Sequence, residues 1–454
     1  MNDLLMILLT IVVTAIVARF VLKKYNTVFV FFAAGIIILI AVSIFKNISI
    51  LGEETTGSNI VDVFAFISKQ FISNISGVGT IIMTVTGYSA YMKHIKASDK
   101  LAFIVTKPLK KIKNPYIVLS GVYVIGLLLK LVITSQAAVA LLLLATTFPV
   151  LMALGINKIT AASVLTLICI DWGPNDGSTI FAAEVAGMEV VDFVLNHQVY
   201  IVVPVMILLA IIIPFYYKWM DRKDEAKGIV NDLGEDMISD PECPWFYSLL
   251  PIIPLIIVFT SSLMKTVIID VVSANFIGLA IVFIIEFIRR KDRSNIPNDM
   301  KVVIRAMADV FVNVVSIIIS ASIFAAGINQ LGGVSLLADY ISSLEGASIL
   351  TVILMSLITF LAAIIMGSGA ASWFSFGPLT GNIAKNIGLN QLGLIVPMEV
   401  GAAIGRGLSP VAGATIAISG HADSDAMDVV KRTVPLGVIS FVITIVISIV
   451  LYAF

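Results

Sequence analysis

Three charged residues of this chain lie beside interruptions of otherwise apolar runs. Asp171 and Asp176 flank the start of Gly-Pro-Asn-Asp-Gly-Ser at residues 173–178, and Arg406 lies between two glycines in a second interruption. A guanidinium can hold a carboxylate through two parallel hydrogen bonds. Ionisable groups inside a membrane typically mark ion or substrate pathways. We therefore predict that Arg406 binds a carboxylate substrate. Asp171, Asp176 and Ser178 are the candidates for a coupling Na⁺ or H⁺.

Each of these charges also has an alternative role. Arg406 could instead cap the carbonyl groups of a broken helix. Asp171 and Asp176 could form structural ion pairs, or Asp176 could bind the amino group of an amino acid. Because a carboxylate repels a dicarboxylate, a cation role for the aspartates is the more consistent one with an anionic substrate. Lys130 could face the site or reach other polar surroundings, and we predict a structural role for Glu399.

Two further interruptions show that the pattern is repeated. Thr-Ser-Gln-Ala-Ala at residues 134–138 interrupts the first half, and Gly-Ser-Gly-Ala-Ala at residues 367–371 interrupts the second. A Gly-aliphatic-Asn triplet follows each serine at the same distance, at residues 155–157 and 388–390. One of the two charged interruptions follows each triplet. The matched order predicts an internal repeat, although clusters of small residues also occur as helix-packing faces.

Interruptions of this kind have a physical cost at membrane depth. Unpaired backbone groups there cost several kcal/mol each unless they line a cavity or are buried in protein, and proline cannot donate a helix hydrogen bond. Helix N-termini at a break carry partial positive charge and present free N–H groups to anions. Paired broken helices typically form the midplane site of a secondary transporter. The predicted substrate-binding residues are Ser135, Gln136, Asn175, Ser368, Gly369, Arg406, Ser409 and Pro410.

The amino-acid composition indicates to which class of protein these residues belong. Of 454 residues, 59% are hydrophobic and 13% are charged, whereas soluble domains are roughly 45–50% apolar and about 25% charged. Lys and Arg together equal Asp and Glu in number, so there is no net field to attract nucleic acid. These values exclude a soluble enzyme, a disordered chain and a nucleic-acid binder.

We therefore predict an all-α polytopic membrane protein with about ten transmembrane helices, two re-entrant hairpins and two broken helices. Seven lysines between residues 93 and 113 mark a cytoplasmic loop, which places the N-terminus outside. The predicted organisation is a first inverted repeat at 1–220 with hairpin 116–154 and broken helix 159–186, a cytoplasmic linker at 221–244, and a second repeat at 245–454 with hairpin 347–386 and broken helix 391–420.

Motifs for other functions are missing from the sequence. The three histidines have no metal-ligand partner at useful spacing, so no metal site beyond a possible Na⁺ is predicted. No P-loop and no nucleophile elbow is present. We predict no cofactor, no enzyme activity, a small carboxylate as substrate and membrane lipids as surroundings. A passive anion channel is the rival from another class, but polarity concentrated at four points does not favour a continuous pore.

These residues resemble the anaerobic C4-dicarboxylate carrier family (DcuC type) of the ion transporter superfamily, over nearly the whole chain. The resemblance is carried by residues 87–92, 145–150, 305–309, 313–315, 367–370 and 405–411. It implies a scaffold domain for homodimerisation, a transport domain that holds both hairpins, elevator-type movement, and succinate or fumarate as substrate in a bacterial cytoplasmic membrane. By this resemblance the hairpin-tip serines and the two breaks line the site.

The chain departs from the family pattern at two of these places. The first break reads Pro-Asn-Asp-Gly-Ser at residues 174–178, where the family pattern is closer to Pro-Thr-Ser-Gly-Asp. The second tip reads Ser-Gly-Ala at residues 368–370, where relatives have Ser-Gly-Asn. Because the second departure removes an amide from the site, an amino-acid carrier of the same superfamily stays open as the alternative.

Overall fold

The computed structural model describes residues 3–23, 25–112, 114–225, 241–264, 269–290, 293, 296–333, 336 and 347–452. These residues form helices and connecting loops, with no strand among them, so the prediction of an all-α fold is confirmed. Most of the predicted linker (226–240) and most of the loop at 329–346 lie outside the described residues.

The helices of the first half run from residue 3 to residue 225. They are α1 (Asp3–Leu22), α2 (Thr27–Lys46), α3 (Asn59–Asn74), α4 (Thr80–His94), α5 (Ala97–Thr106), α6 (Pro115–Leu129), α7 (Gln136–Thr146), α8 (Phe148–Ala153), α9 (Lys158–Leu167), α10 (Gly177–Ala186), α11 (Val190–Phe193) and α12 (Val199–Glu225).

The helices of the second half follow from residue 253 onwards. They are α13 (Ile253–Met264), α14 (Val271–Arg289), α15 (Ile296–Val310), α16 (Ser316–Leu331), α17 (Ala347–Met366), α18 (Gly369–Phe376), α19 (Thr380–Ile387), α20 (Leu392–Gly407), α21 (Gly413–His421) and α22 (Ala426–Tyr452).

Six helical stretches of the described chain are long and apolar enough to cross a membrane. They are 27–46, 190–224, 271–289, 296–331, 348–366 and 426–452. A transmembrane helix needs about 20 predominantly apolar residues, and each of the six reaches this length or nearly so. The protein is thus a multi-pass membrane protein. The count of about ten spans and the side on which the N-terminus lies stay predictions.

The same succession of elements occurs in both halves. In the first half, α6 and α7 form a hairpin around a turn at residues 130–135, and α9 and α10 are separated by a non-helical segment at residues 168–176. In the second half, α17 and α18 form the hairpin, and α20 and α21 are separated at residues 408–412. The inverted orientation of one succession relative to the other remains a prediction.

Serine side chains begin the second arm of both hairpins in the same way. The Ser135 hydroxyl accepts a hydrogen bond from the N–H of Ala138, and the Ser368 hydroxyl accepts one from the N–H of Ala371. A serine in this position satisfies one of the helix N–H groups that have no partner within the helix. The short polar clusters therefore interrupt the apolar runs because each of them ends one helix and caps the next.

Close backbone approach brings the two breaks together. Gly407, the last residue of α20, lies against Cys169 in the first break, and a Cβ there would be 2.7 Å from the Cys169 Sγ. Gly405 lies so close to the Phe360 carbonyl of α17 that a Cβ would overlap it. Residues with a side chain at these two positions would separate the helices. The glycines on both sides of Arg406 thus place its side chain beside the first break.

Candidate functional site

A cavity of about 200 Å³ lies where the first hairpin tip, the first break and the end of α20 meet. Its lining combines charged and hydroxyl-bearing residues with a few apolar ones. The polar members are Thr86, Thr134, Ser135, Asp171, Asn175, Asp176, Ser178 and Arg406, and the others are Ile82, Val85, Gly177, Val310, Ala370 and Phe374. The volume is below the roughly 300–1,000 Å³ of drug-sized ligand sites, so the cavity suits a small molecule.

Asp171 is the centre of a buried ion-pair cluster. Its Oδ1 accepts hydrogen bonds from Lys130 Nζ and from Arg406 Nη2, the latter at 2.8 Å. Lys130 is fully buried and also donates to the Thr134 carbonyl at 3.4 Å. Because charges that leave water need both an opposite charge and hydrogen bonds, this carboxylate holds both cations in place. Of the alternatives for Asp171, the structure has the ion pair with Arg406.

Arg406 is only partly used by these contacts. Its Nη2 donates to the Cys169 carbonyl at 2.7 Å and to Asp171, whereas its Nε is buried with no hydrogen-bond partner among the described residues. The side chain is 16% exposed and faces the cavity. Arg406 lies in the last turn of α20 and not in the non-helical break where the sequence pattern put it. A guanidinium in this setting can accept an additional anion from the cavity side.

Asp176 has a structural task as well as a place in the cavity wall. It is the N-cap of α10, and its Oδ1 accepts hydrogen bonds from the N–H groups of Ser178 at 2.8 Å and Thr179 at 3.3 Å. The N-terminus of α10 is therefore already occupied by a carboxylate, which is the charge that a helix N-terminus favours. An anionic substrate has to rely on Arg406 and on neutral donors instead.

The structure brings together six of the predicted site residues and leaves five away from this cavity. Ser135, Asn175, Arg406, Asp171, Asp176 and Ser178 line the cavity, whereas Gln136, Ser368, Gly369, Ser409 and Pro410 do not. Gly369 packs α18 against α20, where a Cβ would be 2.8 Å from the Ala402 carbonyl. The second hairpin contributes Ala370 and Phe374 instead of its serine.

The sequence pattern did not single out several residues that shape the site. Thr86 on α4 and Val310 at the end of α15 close the cavity from elements that contain no break. No local signal identifies them, because neither residue lies next to an interruption in the sequence. Gln198 is different, since a buried glutamine in an apolar helix needs hydrogen-bond partners, and that requirement is a usable signal.

A second cavity of about 180 Å³ adjoins the first and leads to the basic loop. The two share Thr86, Thr134 and Ser135, and the second one extends to Lys93 and Ser98. Lys93 is about half exposed and its Nζ lies 2.7 Å from Asp99 Oδ1. The adjoining cavities connect the site with the end of α4.

A somewhat larger cavity elsewhere has no such chemistry. It measures about 230 Å³ and lies between α1, α2, α16, α17 and α18, and its lining is apolar except for Thr14 and Ser375. Because none of the described residues that line this cavity is charged, a carboxylate that entered it would lose its hydration without gaining an ion pair. Among the described residues no group of three His, Cys, Asp or Glu side chains could hold a metal ion.

Comparisons with known proteins agree on one family. The sequence profile described as C4-dicarboxylate anaerobic carrier matches residues 3–453. The chain is 30% identical, over 97% of its length and 95% of theirs, to the anaerobic C4-dicarboxylate transporter DcuC of Escherichia coli K12 and to that of Shigella flexneri. It is 29% identical to the probable anaerobic C4-dicarboxylate transporter DcuC of Vibrio cholerae, over 96% of both chains.

A solved structure has a similar fold. The YdaH transporter of Alcanivorax borkumensis superposes with a TM-score of 0.60 at 13% sequence identity, covering 94% of this chain and 98% of that one. At this identity the likeness concerns the fold alone.

Proposed function

The chain belongs to the C4-dicarboxylate anaerobic carrier family, and we propose that it is a secondary active transporter of a four-carbon dicarboxylate such as succinate or fumarate in a bacterial cytoplasmic membrane. Its relatives are named as transporters, so the protein is a carrier and not an enzyme. Transport proceeds by exchange or is coupled to Na⁺ or H⁺.

The observation that supports this function most is the position of Arg406 in the cavity wall. Its guanidinium is held by Asp171 and Cys169 through one nitrogen, while Nε has no hydrogen-bond partner in the part of the chain that the structure describes. One carboxylate of a dicarboxylate binds Arg406, and the hydroxyls of Ser135 and Ser178, with Asn175, hydrogen-bond the other. Charge-assisted and neutral hydrogen bonds together recognise two carboxylates at a fixed separation.

The cavity also supports an elevator-type movement. One wall is made of the first hairpin tip, the first break, Arg406 at the end of α20 and the second hairpin. The other wall is made of Ile82, Val85 and Thr86 on α4 with Val310 on α15. In an elevator the first wall moves as a unit along the second. We assign the hairpins and broken helices to the transport domain, and α4 and α15 to the scaffold, which also forms the homodimer.

The experiment that tests the function is uptake of labelled succinate into proteoliposomes. We expect saturable uptake when unlabelled succinate is inside, and competition by fumarate stronger than by aspartate or citrate. Aspartate as the strongest competitor would instead support the amino-acid carrier, in which Asp176 at the cavity wall binds the amino group. No saturable flux of any carboxylate under any gradient would contradict transport of this substrate class.

Replacing Lys93 with glutamine is expected to weaken uptake only at low ionic strength. Lys93 lines the second cavity where it reaches the basic loop, and its charge attracts a dianion towards the site. Such steering is screened at high salt. KM for uptake from the side of the basic loop should rise about threefold at 10 mM salt and by less than about 1.5-fold at 500 mM, because the Debye length falls from about 30 Å to a few Å.

The matched control for this prediction is Lys301→Gln. Lys301 is an exposed lysine on α15 that lines neither cavity, so K301Q should behave as the wild type at both salt concentrations. An equal loss for K93Q at low and high salt would show that Lys93 acts through local structure and not through its field.

A further inference from the structure

Glu399 is a buried carboxylate that the proposed substrate contacts do not use. It lies in the middle of α20 and is 1% exposed. Its Oε1 accepts hydrogen bonds from Thr179 Oγ1 at 3.1 Å and from Gln198 Nε2 at 2.8 Å, and its Oε2 lies 3.0 Å from the same Nε2. It forms no ion pair with any described residue.

Glu399 differs in this respect from the two aspartates of the site. Asp171 has two cations, Lys130 and Arg406, and Asp176 has the N-terminus of α10. Among the described residues, Glu399 has a neutral amide and a neutral hydroxyl as its partners. Ionising a buried carboxylate that has no cation beside it costs more free energy than ionising one that has, so Glu399 can take up and release a proton. With Glu399 protonated, the two aspartates balance the charges of Lys130 and Arg406.

The contacts of Glu399 lead directly to the substrate cavity. Thr179 donates its backbone N–H to Asp176, which lines the cavity. Gln198 is fully buried, accepts a hydrogen bond from the N–H of Gly173 at 3.0 Å, and lies 3.4 Å from the Asp171 carbonyl. The glutamate therefore contacts the first break through two side chains, although it lies on the helix that carries Arg406.

The charged groups around Glu399 are few. α17 and α18, which pack against α20, contain no ionisable residue. α22 runs antiparallel beside it, with Phe441 at Gly401 and Tyr452 at Gly393. The remaining titratable groups on the described elements that pack against α20 are Asp171, Asp176 and Cys169 in the first break, Lys158 at the start of α9, Glu184 at the exposed end of α10, His197 beside Tyr452, Lys385 on α19, and Asp428, Lys431 and Arg432 in the first turns of α22.

We propose that Glu399 is the proton-carrying residue of the transporter, so that a proton on its carboxyl group travels with the dicarboxylate. This inference rests on the proposed transport function. A dianion in the cavity raises the cost of a negative charge on Glu399, so substrate binding favours the protonated form, and protonation favours substrate binding by the same factor. On release of the dianion the carboxyl group loses its proton on the same side.

The test compares two modes of transport for wild type and Glu399→Gln in proteoliposomes. Glutamine imitates the protonated carboxyl group and cannot release a proton. We expect E399Q to keep succinate counterflow within about threefold of wild type while accumulation driven by a pH gradient at clamped voltage falls at least about tenfold. The matched control is Glu184→Gln, since Glu184 is an exposed glutamate on α10, and E184Q should keep both modes.

A binding measurement gives a second readout. Calorimetry in two buffers of different ionisation enthalpy reports the number of protons taken up per succinate bound. We expect a value above zero and up to one for wild type, and zero for E399Q. If E399Q is not monodisperse, Glu399→Asp should keep gradient-driven accumulation with a shifted pH dependence, and an unshifted profile counts against the proposal.

Two results would overturn the assignment. One is gradient-driven accumulation by E399Q at the wild-type level, and the other is wild-type accumulation of succinate that does not respond to a pH gradient at clamped voltage. Both leave the transport function intact. Absence of wild-type counterflow would instead contradict the transport function itself.

Discussion

Replacing Arg406 with alanine is expected to lower the succinate kcat/KM at least about thirtyfold, because the loss of one partner of a buried charge pair costs about 2–5 kcal/mol and each 1.4 kcal/mol is about a factor of ten. Among the described residues that line the cavity, Arg406 is the one cation, and it faces a lining that also contains Asp171 and Asp176. Without it, a dianion meets two carboxylates and neutral donors only. Uptake into proteoliposomes and equilibrium binding of labelled succinate both measure this loss.

Lysine at this position is expected to recover only part of the activity. Arg406→Lys keeps the charge but has no planar fork, so it cannot hold Asp171 and Cys169 while also binding a carboxylate. The matched control is Arg305→Ala on α15, since Arg305 is exposed and lines neither polar cavity. Wild-type affinity in both R406A and R406K would remove Arg406 from the substrate site and leave it as a structural residue.

The sequence predicted the site best at residue types that have few structural roles in an apolar segment. A serine before a run of small residues was identified as a hairpin tip, and both serines cap helices as expected of such a residue. Arg406, Asp171 and Asp176 were identified because charges in an apolar segment are costly. The fold class followed from composition and hydrophobic runs alone.

What the sequence could not supply was the pairing of distant segments. Lys130 was left undecided between the site and other polar surroundings, since only the fold places Asp171 beside it. Glu399 was predicted to be structural, because two helical turns separate it from Arg406 and its partners Gln198 and Thr179 come from the other half of the chain. Neither local pattern nor spacing contains that information.

The second hairpin shows a related difficulty. The repeat made Ser368 equivalent to Ser135, but only Ser135 lines the cavity. Matching patterns establish equivalent local structure, such as a shared helix cap. They do not establish equivalent exposure, because the two tips pack against different neighbours, and Gly369 is pressed against α20.

Replacing Asp171 with asparagine is expected to lower the thermal unfolding temperature and to abolish uptake. This single change leaves Lys130, which is fully buried, and Arg406 without their shared carboxylate. Breaking a buried ion pair on one side costs about 3–5 kcal/mol, because a charge remains uncompensated in the interior. The melting temperature of the purified protein in detergent, followed by tryptophan fluorescence, measures the effect.

The double variant Lys130→Met with Asp171→Asn separates the ion pair from the shape of the site. The double variant removes the buried ammonium of Lys130 together with the carboxylate, so that this charge is no longer left uncompensated. It should therefore unfold at a higher temperature than D171N, although it carries one more substitution. Asp428→Asn is the control, because Asp428 pairs with Lys431 at the surface, where both side chains are more than half exposed. Such pairs contribute about 0–1 kcal/mol. A double variant less stable than D171N would show that Lys130 is held by contacts other than Asp171, and Arg406 would then be the cation on which the carboxylate depends.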